Sequence, residues 1–142
     1  MLTTKTSSIN TPVFMPVGTY GAVKGVTPDQ LKDIGFEVIL GNAFHLEQRP
    51  GSKLINEFNG LHKFMNWNGS ILTDSGGFQV WSLGDLRKVF DDRVEFKSPL
   101  DGKKIVMYPS DSIQIQLNLD ADIIMVFDDC TDYPSTLSEA KK

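Results

Sequence analysis

The sequence predicts an α/β fold, the first half of a (β/α)8 barrel with an inserted β-hairpin. Two observations carry this. Short apolar runs alternate with helical stretches from Thr11 onward, with polar or Gly-rich residues where each run ends. The pattern yields about four strands that need helices on both faces, whereas a closed barrel of this kind takes about 250 residues. The 142 residues are therefore expected to be one incomplete layer of a longer barrel, read as a single unit over 1–142.

Taken in order, Met1 to Asn10 is polar and carries no apolar signal core. Val13 to Val17 is apolar but holds Pro16, which suits an opening or edge strand. Thr27-Pro28-Asp29-Gln30 has the form of a capping box with proline at the first helical position, and Gly35 ends that helix. Phe36 to Leu40 reads as a strand broken by Gly41-Asn42 before a loop through His45 and Arg49-Pro50-Gly51. Ser52 to Asn59 reads as a helix burying Leu54, Ile55 and Phe58, with Gly60 as its stop. Leu61, Phe64, Met65 and Trp67 read as a short core-facing or lid segment. Ile71 to Thr73 is a buried strand leading into Asp74. Val94 to Pro99 and Lys104 to Tyr108 flank the turn pair Asp101-Gly102 and form the hairpin. Ser110 is read as the cap of a helix to about Leu119, Ile123 to Phe127 as the clearest buried strand, and Ser135 as the start of a last helix.

Composition narrows the function. Forty per cent hydrophobic and 23% charged residues match an ordinary globular chain, and 14 basic against 18 acidic groups leave a net charge of −4. That is far from the basic footprint of a module that grips phosphate backbones. The single cysteine, Cys130, has no internal partner, and with only His45 and His62 beside it the chain cannot build a Cys-rich zinc site. Apolar runs are strand-sized rather than membrane-spanning. A reducing, cytoplasmic setting without a membrane follows.

Three polar clusters follow three successive strands: Asn42 with His45, Asp74 to Gln79, and Asp128 to Cys130. Strand ends of an α/β layer share one face, so these clusters are expected to converge on one pocket. Gly76 and Gly77 let backbone approach a ligand, and Phe78 can stack on a planar one. The same residues also suit a tight turn with a helix cap. Asp128-Asp129 suits Mg²⁺ in a phosphotransfer site, recognition of donor groups on a base, or a solvated capping pair. Cys130 lacks a sequence-local base and reads as a small buried hydrophobe. His45 and His62 read as structural histidines, and Lys103-Lys104 and Lys141-Lys142 as solvated charges.

The sequence resembles the tRNA-guanine transglycosylases, also called queuine tRNA-ribosyltransferases. The resemblance rests on Thr11-Pro-Val-Phe-Met-Pro-Val-Gly-Thr19, Ile39-Leu-Gly-Asn42, His45-Leu46 with Arg49-Pro-Gly51, Gly60-Leu-His62, Ile71-Leu-Thr-Asp-Ser-Gly-Gly-Phe-Gln79, Phe96-Lys-Ser98 and Phe127-Asp-Asp-Cys130, in order along almost the whole chain. It implies a (β/α)8 barrel that exchanges guanine at the wobble position of tRNAs with GUN-type anticodons for a 7-deazaguanine, through a covalent ribosyl-enzyme intermediate. By motif, Asp74 is then the general acid/base, Ser75, Gly76, Gly77 and Phe78 the base-binding loop with Phe78 stacking on the ring, and Asp128 the carboxylate that recognises the base. Cys130 lines the pocket, and Asp129 is a neighbour without an assigned role.

The resemblance further places the nucleophilic Asp, the later part of the base pocket, the tRNA-binding segments and a Cys/Cys/Cys/His zinc site beyond residue 142. No cofactor is then expected in this chain itself, and the chain alone is not expected to perform exchange. The opening hairpin is expected to be mostly missing. Cys130 with Phe78 resembles bacterial members, whose base is 7-aminomethyl-7-deazaguanine, and the complete enzyme is expected to be a homodimer. Two other classes remain open at this point: a non-catalytic partner subunit or decayed paralogue that keeps the pocket, and a Mg²⁺-dependent phosphotransfer domain built on Asp128-Asp129.

Overall fold

The computed structural model describes residues 1–141. It opens with a short antiparallel hairpin, β1 (Leu2–Thr3) and β2 (Ser8–Ile9), where the sequence reading has polar chain and expects the opening hairpin to be mostly missing. The hairpin is fixed by tertiary contacts: the hydroxyls of Thr4 and Ser7 lie 2.8 and 2.6 Å from the buried Ser70 hydroxyl. Ile9 is buried beneath it.

β3 (Val17–Gly18) is shorter than the Val13 to Val17 run, because Pro16 offers no donor to the ladder; its carbonyl still accepts from Leu40 N at 3.0 Å. α1 (Pro28–Ile34) begins as read: Thr27 and Gln30 form a complete capping box, and Gly35 leaves the helix at φ 98°. β4 (Val38–Gly41) follows. The stretch read next as a loop is instead a helix, α2 (Ala43–Gln48), since the Asn42 side chain accepts from His45 N and caps it rather than breaking the chain. Phe44 and Leu46 bury its inner face.

α3 (Ser52–Glu57) buries Ile55 completely, whereas Leu54 and Phe58, read as the same face, are exposed. Gly60 opens α4 (Gly60–Met65) rather than ending α3. That helix faces the core through Leu61, Met65 and the following Trp67, while Phe64 of the same expected set is exposed. β5 (Ser70–Thr73) then runs between β4 and the last strand, and α5 (Gly77–Ser82) starts after three intervening residues. A 3₁₀ turn (Gly84–Leu86) leads to an antiparallel sheet of β6 (Arg87–Val89), β7 (Val94–Lys97) and β8 (Lys104–Met107). The predicted hairpin is thus present with one extra strand.

α6 (Pro109–Asn118) is capped by the Asp111 carboxylate, which accepts from Tyr108 N at 2.8 Å; Ser110 lies inside the helix and is not the cap. β9 (Ile123–Ile124) is only two residues long, and beyond it Met125 and Val126 are 45% and 77% exposed. The run through Phe127 is therefore not a buried strand. No helix starts at Ser135; Thr136 caps a single turn, with Ala140 N donating to its carbonyl at 3.0 Å. The last residue of that expected helix, Lys142, lies outside the described residues.

The main sheet is parallel throughout, in the order β3-β4-β5-β9, and pairs Gly41 with Thr73 and Thr73 with Ile124. Ile39, Ile71, Leu46, Ile55, Leu61 and Leu119 are fully buried between the sheet and its helices. Parallel strands need covering on both faces, and their C-terminal ends emerge together. That geometry decides where the polar residues meet.

Candidate active site at the strand ends

Asp74 is the first residue past β5, and its main-chain N–H continues the ladder to Gly41 O at 3.2 Å. The half-buried carboxylate turns toward the start of α2, where one oxygen accepts from Ala43 N at 2.9 Å and the other from Asn42 Nδ2 at 2.5 Å. A helix N-terminus favours a negative charge, and these two donors act in that sense. Burial prevails, reinforced by the nearby Asp128 charge, and holds the Asp74 pKa at about 6.

Asp128 lies four residues beyond β9, the strand adjacent to β5. Its carboxylate accepts from the Ser75 hydroxyl and, at 3.4 Å, from the Cys130 thiol. Ser75 also accepts from Gly77 N at 3.1 Å, and the Ser112 hydroxyl on α6 donates to Ser75 O at 2.7 Å. The loop needs both of its glycines for different reasons. Gly76 sits at φ 83° with Phe44 behind it, and a Cβ on Gly77 would collide with the Asp128 main chain and carboxylate. Cys130 keeps its proton more tightly than an ordinary thiol, through burial first and then the hydrogen bond to Asp128 and its charge.

The structure thus brings together Asp74, Ser75, Gly76, Gly77, Asp128 and Cys130. Phe78 stands at the rim, 57% exposed, with its ring 5.5 Å from that of Trp81. His45 does not reach the carboxylates; its Nδ1 lies 3.2 Å from the Tyr20 hydroxyl. His62 is at the opposite end of the sheet. Behind Gly77 lies a hollow of about 570 Å³ lined by Trp81, Arg87, Phe90, Arg93, Phe127 and Asp129 among others; neither Asp74 nor Phe78 lines it. Asp128 and Asp129 line it together with Asp91 and Asp92, yet among the described residues no cluster of three or more His, Cys, Asp or Glu side chains is arranged to hold a metal ion. No helix among them is long and apolar enough to cross a membrane.

Sequence reasoning placed Asn42 in the polar set without a role, and missed Ala43, Ser112 and Gln116. The signal for Asn42 and Ala43 was an N-capping residue at the end of the strand paired with β5.

Comparison with known proteins now decides the family, since the family model described as queuine tRNA-ribosyltransferase matches residues 1–142. The chain belongs to the queuine tRNA-ribosyltransferase family. Among relatives bearing that name, the protein of Psychrobacter sp. (strain PRwf-1) is 58% identical over 141 residues, covering 99% of this chain and 37% of the relative. That of Pseudoalteromonas translucida is 59% identical over 133 residues, or 94% of this chain and 36% of the relative. That of Vibrio vulnificus (strain YJ016) is 55% identical over 141 residues, or 99% and 37%. The chain spans a little over a third of the length of these family members.

Proposed function

We propose that this chain is the base-recognition part of a tRNA-guanine transglycosylase. Its four-stranded sheet is one side of a (β/α)8 barrel, and residues 1–142 belong to a single catalytic unit working in the cytoplasm. The reaction replaces guanine at the wobble position of GUN-anticodon tRNAs with 7-aminomethyl-7-deazaguanine. The nucleophilic Asp and the zinc site lie on a later segment, and the complete enzyme is a homodimer. One observation carries the reading: carboxylates that follow two adjacent parallel strands flank a shared loop, Asp128 bonded to its Ser75 hydroxyl and Asp74 pushed up to about 6 by burial.

Two carboxylates in unlike environments divide the work. Asp128 has acceptor positions occupied by Ser75 and Cys130, and a guanine-type edge offers adjacent ring N–H and amino donors that can take such positions. A base lacking those donors leaves a charge unpaired and is rejected. As the bond from ribose to guanine breaks and the bond to the nucleophilic carboxylate forms, the departing base nitrogen takes a proton from Asp74. The incoming deazaguanine returns a proton to Asp74 as its nitrogen displaces the carboxylate. A carboxyl with a midpoint of about 6 is about one-tenth protonated at pH 7, so both directions are accessible. Phe78 offers a flat face to a nucleobase turned out of its stack.

Calorimetric titration of the 142-residue chain with 7-aminomethyl-7-deazaguanine tests the reading. Binding is expected, with no binding of adenine, and Asp128→Ala should weaken it by about 2–5 kcal/mol. Equal affinity in that variant would remove Asp128 from the base site.

A further inference from the structure

Gln116 is a completely buried amide on α6, and neither the family motifs nor the proposed chemistry uses it. Its hydrogen-bonding capacity is filled. Oε1 accepts from the Thr73 hydroxyl at 3.0 Å and from Met125 N at 2.8 Å; Nε2 donates to Met125 O at 2.8 Å and to Ser112 O at 3.3 Å. The paired bonds to Met125 N and O are those that a neighbouring strand would make. They begin where the β5–β9 ladder stops, since that ladder pairs only Leu72 with Ile123 and Thr73 with Ile124. A side chain therefore carries the sheet one residue further, toward Asp128.

Four residues earlier on the same helix, Ser112 holds the carbonyl of Ser75. Positions i and i+4 of a helix lie on one face, so one stripe of α6 grips both loops. Thr73 and Ser75 flank Asp74, and Met125 lies three residues before Asp128. We infer that Gln116, braced by Ser112, is the positioning residue of the base site, a single buried amide that holds the ends of β5 and β9 in register and so sets the approach of the Asp74 and Asp128 loops. An apolar side chain there would leave the Met125 N–H and carbonyl without these partners.

The inference rests on the proposed base site for its purpose, yet its geometry can be tested without any ligand. Amide hydrogen exchange in the wild-type 142-residue chain comes first: Met125 N–H should exchange roughly tenfold or more slowly than Val126 N–H, although both lie outside the ladder. Equal rates would overturn the inference without any variant. Carboxyl NMR then follows the Asp74 titration in wild type, Gln116→Met and Gln116→Glu. If the loops part in these variants, water enters and Asp128 recedes, so the midpoint should fall from about 6 by roughly one unit or more. Thr73→Val, which removes one bond and leaves the Met125 pair, should keep the midpoint near 6. An unchanged midpoint in a folded Gln116→Met chain would overturn the positioning role. Failure of both Gln116 variants to fold, with Met125 and Val126 exchanging alike, would do the same. Titration with 7-aminomethyl-7-deazaguanine separates the two claims: a wild-type chain that binds no base but passes the exchange and titration tests refutes the base site and leaves the clamp standing.

Discussion

Asp122 and Asp74 are the same residue type at opposite ends of the same sheet, and they titrate in opposite directions. Asp122 immediately precedes β9, and its side chain is fully buried. It accepts from Ile71 N at 2.8 Å, His62 Nε2 at 2.9 Å and Thr6 N at 3.0 Å. Burial alone would raise its pKa, but the bonds from Thr6 and Ile71 and the neighbouring His62 outweigh burial and hold the carboxyl below its ordinary value. Asp74, with two donors and a second carboxylate nearby, is pushed up to about 6. The lower end of the sheet thus spends its carboxylate on joining the opening hairpin, β5 and β9. The upper end keeps one whose charge is poorly compensated, which is what the proton-transfer role proposed for Asp74 requires.

The largest expected effect breaks the lower end. Asp122→Ala leaves Ile71 N–H, Thr6 N–H and His62 without their shared acceptor, and should cost about 3–5 kcal/mol in urea unfolding. The wild-type contribution is present above the ordinary carboxylate range and is lost as pH falls through the lowered native value. The variant should therefore show a flatter loss of stability on acidification than wild type. A variant that unfolds at the wild-type urea midpoint would mean that the hairpin and β9 are held by packing alone.

These two ends were not equally legible in sequence. The upper cluster was, because Asp74 and Asp128 each follow an apolar run directly and strand ends of a parallel sheet share a face. The Thr27–Gln30 box and Gly35 were legible because capping is local chemistry. Asp122 was not, since its three partners lie 51, 60 and 116 residues away in sequence. The hairpin of Leu2–Thr3 and Ser8–Ile9 has strands too short to carry a period and owes its form to Ser70. The α2 helix was hidden by an ambiguity of residue type: Asn42 after Gly41 is equally a turn former and an N-cap, and only the His45 N–H decides between them.

At the upper end the next largest effect is steric. Gly77→Ala puts a methyl group into the Asp128 main chain, which cannot yield as a flexible side-chain tip would. The fold should survive at a cost of about 1–3 kcal/mol, because the collision lies at loops rather than in the core. Base binding should be lost, since Asp128 must move. Calorimetry and melting of the same sample separate the two effects, and retained affinity would show that Asp128 can shift without harm.

Asp74→Asn should sharpen the contrast by stabilising the protein. A raised native pKa means that ionised Asp74 costs the fold nothing below the ordinary value of 3.8 and its full penalty above about 6. The variant should therefore gain about 1–2 kcal/mol at pH 8, after discounting for residual solvent contact, and nothing at pH 3. Thermal melts of the two chains at both pH values decide it. An equal difference at the two values would mean that the charge is already compensated and that Asp74 resembles Asp122 after all.

The smallest effect belongs to Cys130, beside the second carboxylate of the upper end. Its thiol donates to Asp128 over a long 3.4 Å, and a serine hydroxyl can make the same bond. Cys130→Ser should change stability by less than about 0.5 kcal/mol. Burial and the Asp128 charge both disfavour the thiolate, so at pH 7.5 the wild-type thiol should react with iodoacetamide more slowly than free cysteine. Rapid alkylation would mean that the Asp128 carboxylate is neutral or turned away, and with it the unequal pair of acids at this end of the sheet would dissolve. Slow alkylation together with a silent serine variant would accord with the role proposed for Cys130, a small wall of the base site acting through size and weak polarity rather than nucleophilicity.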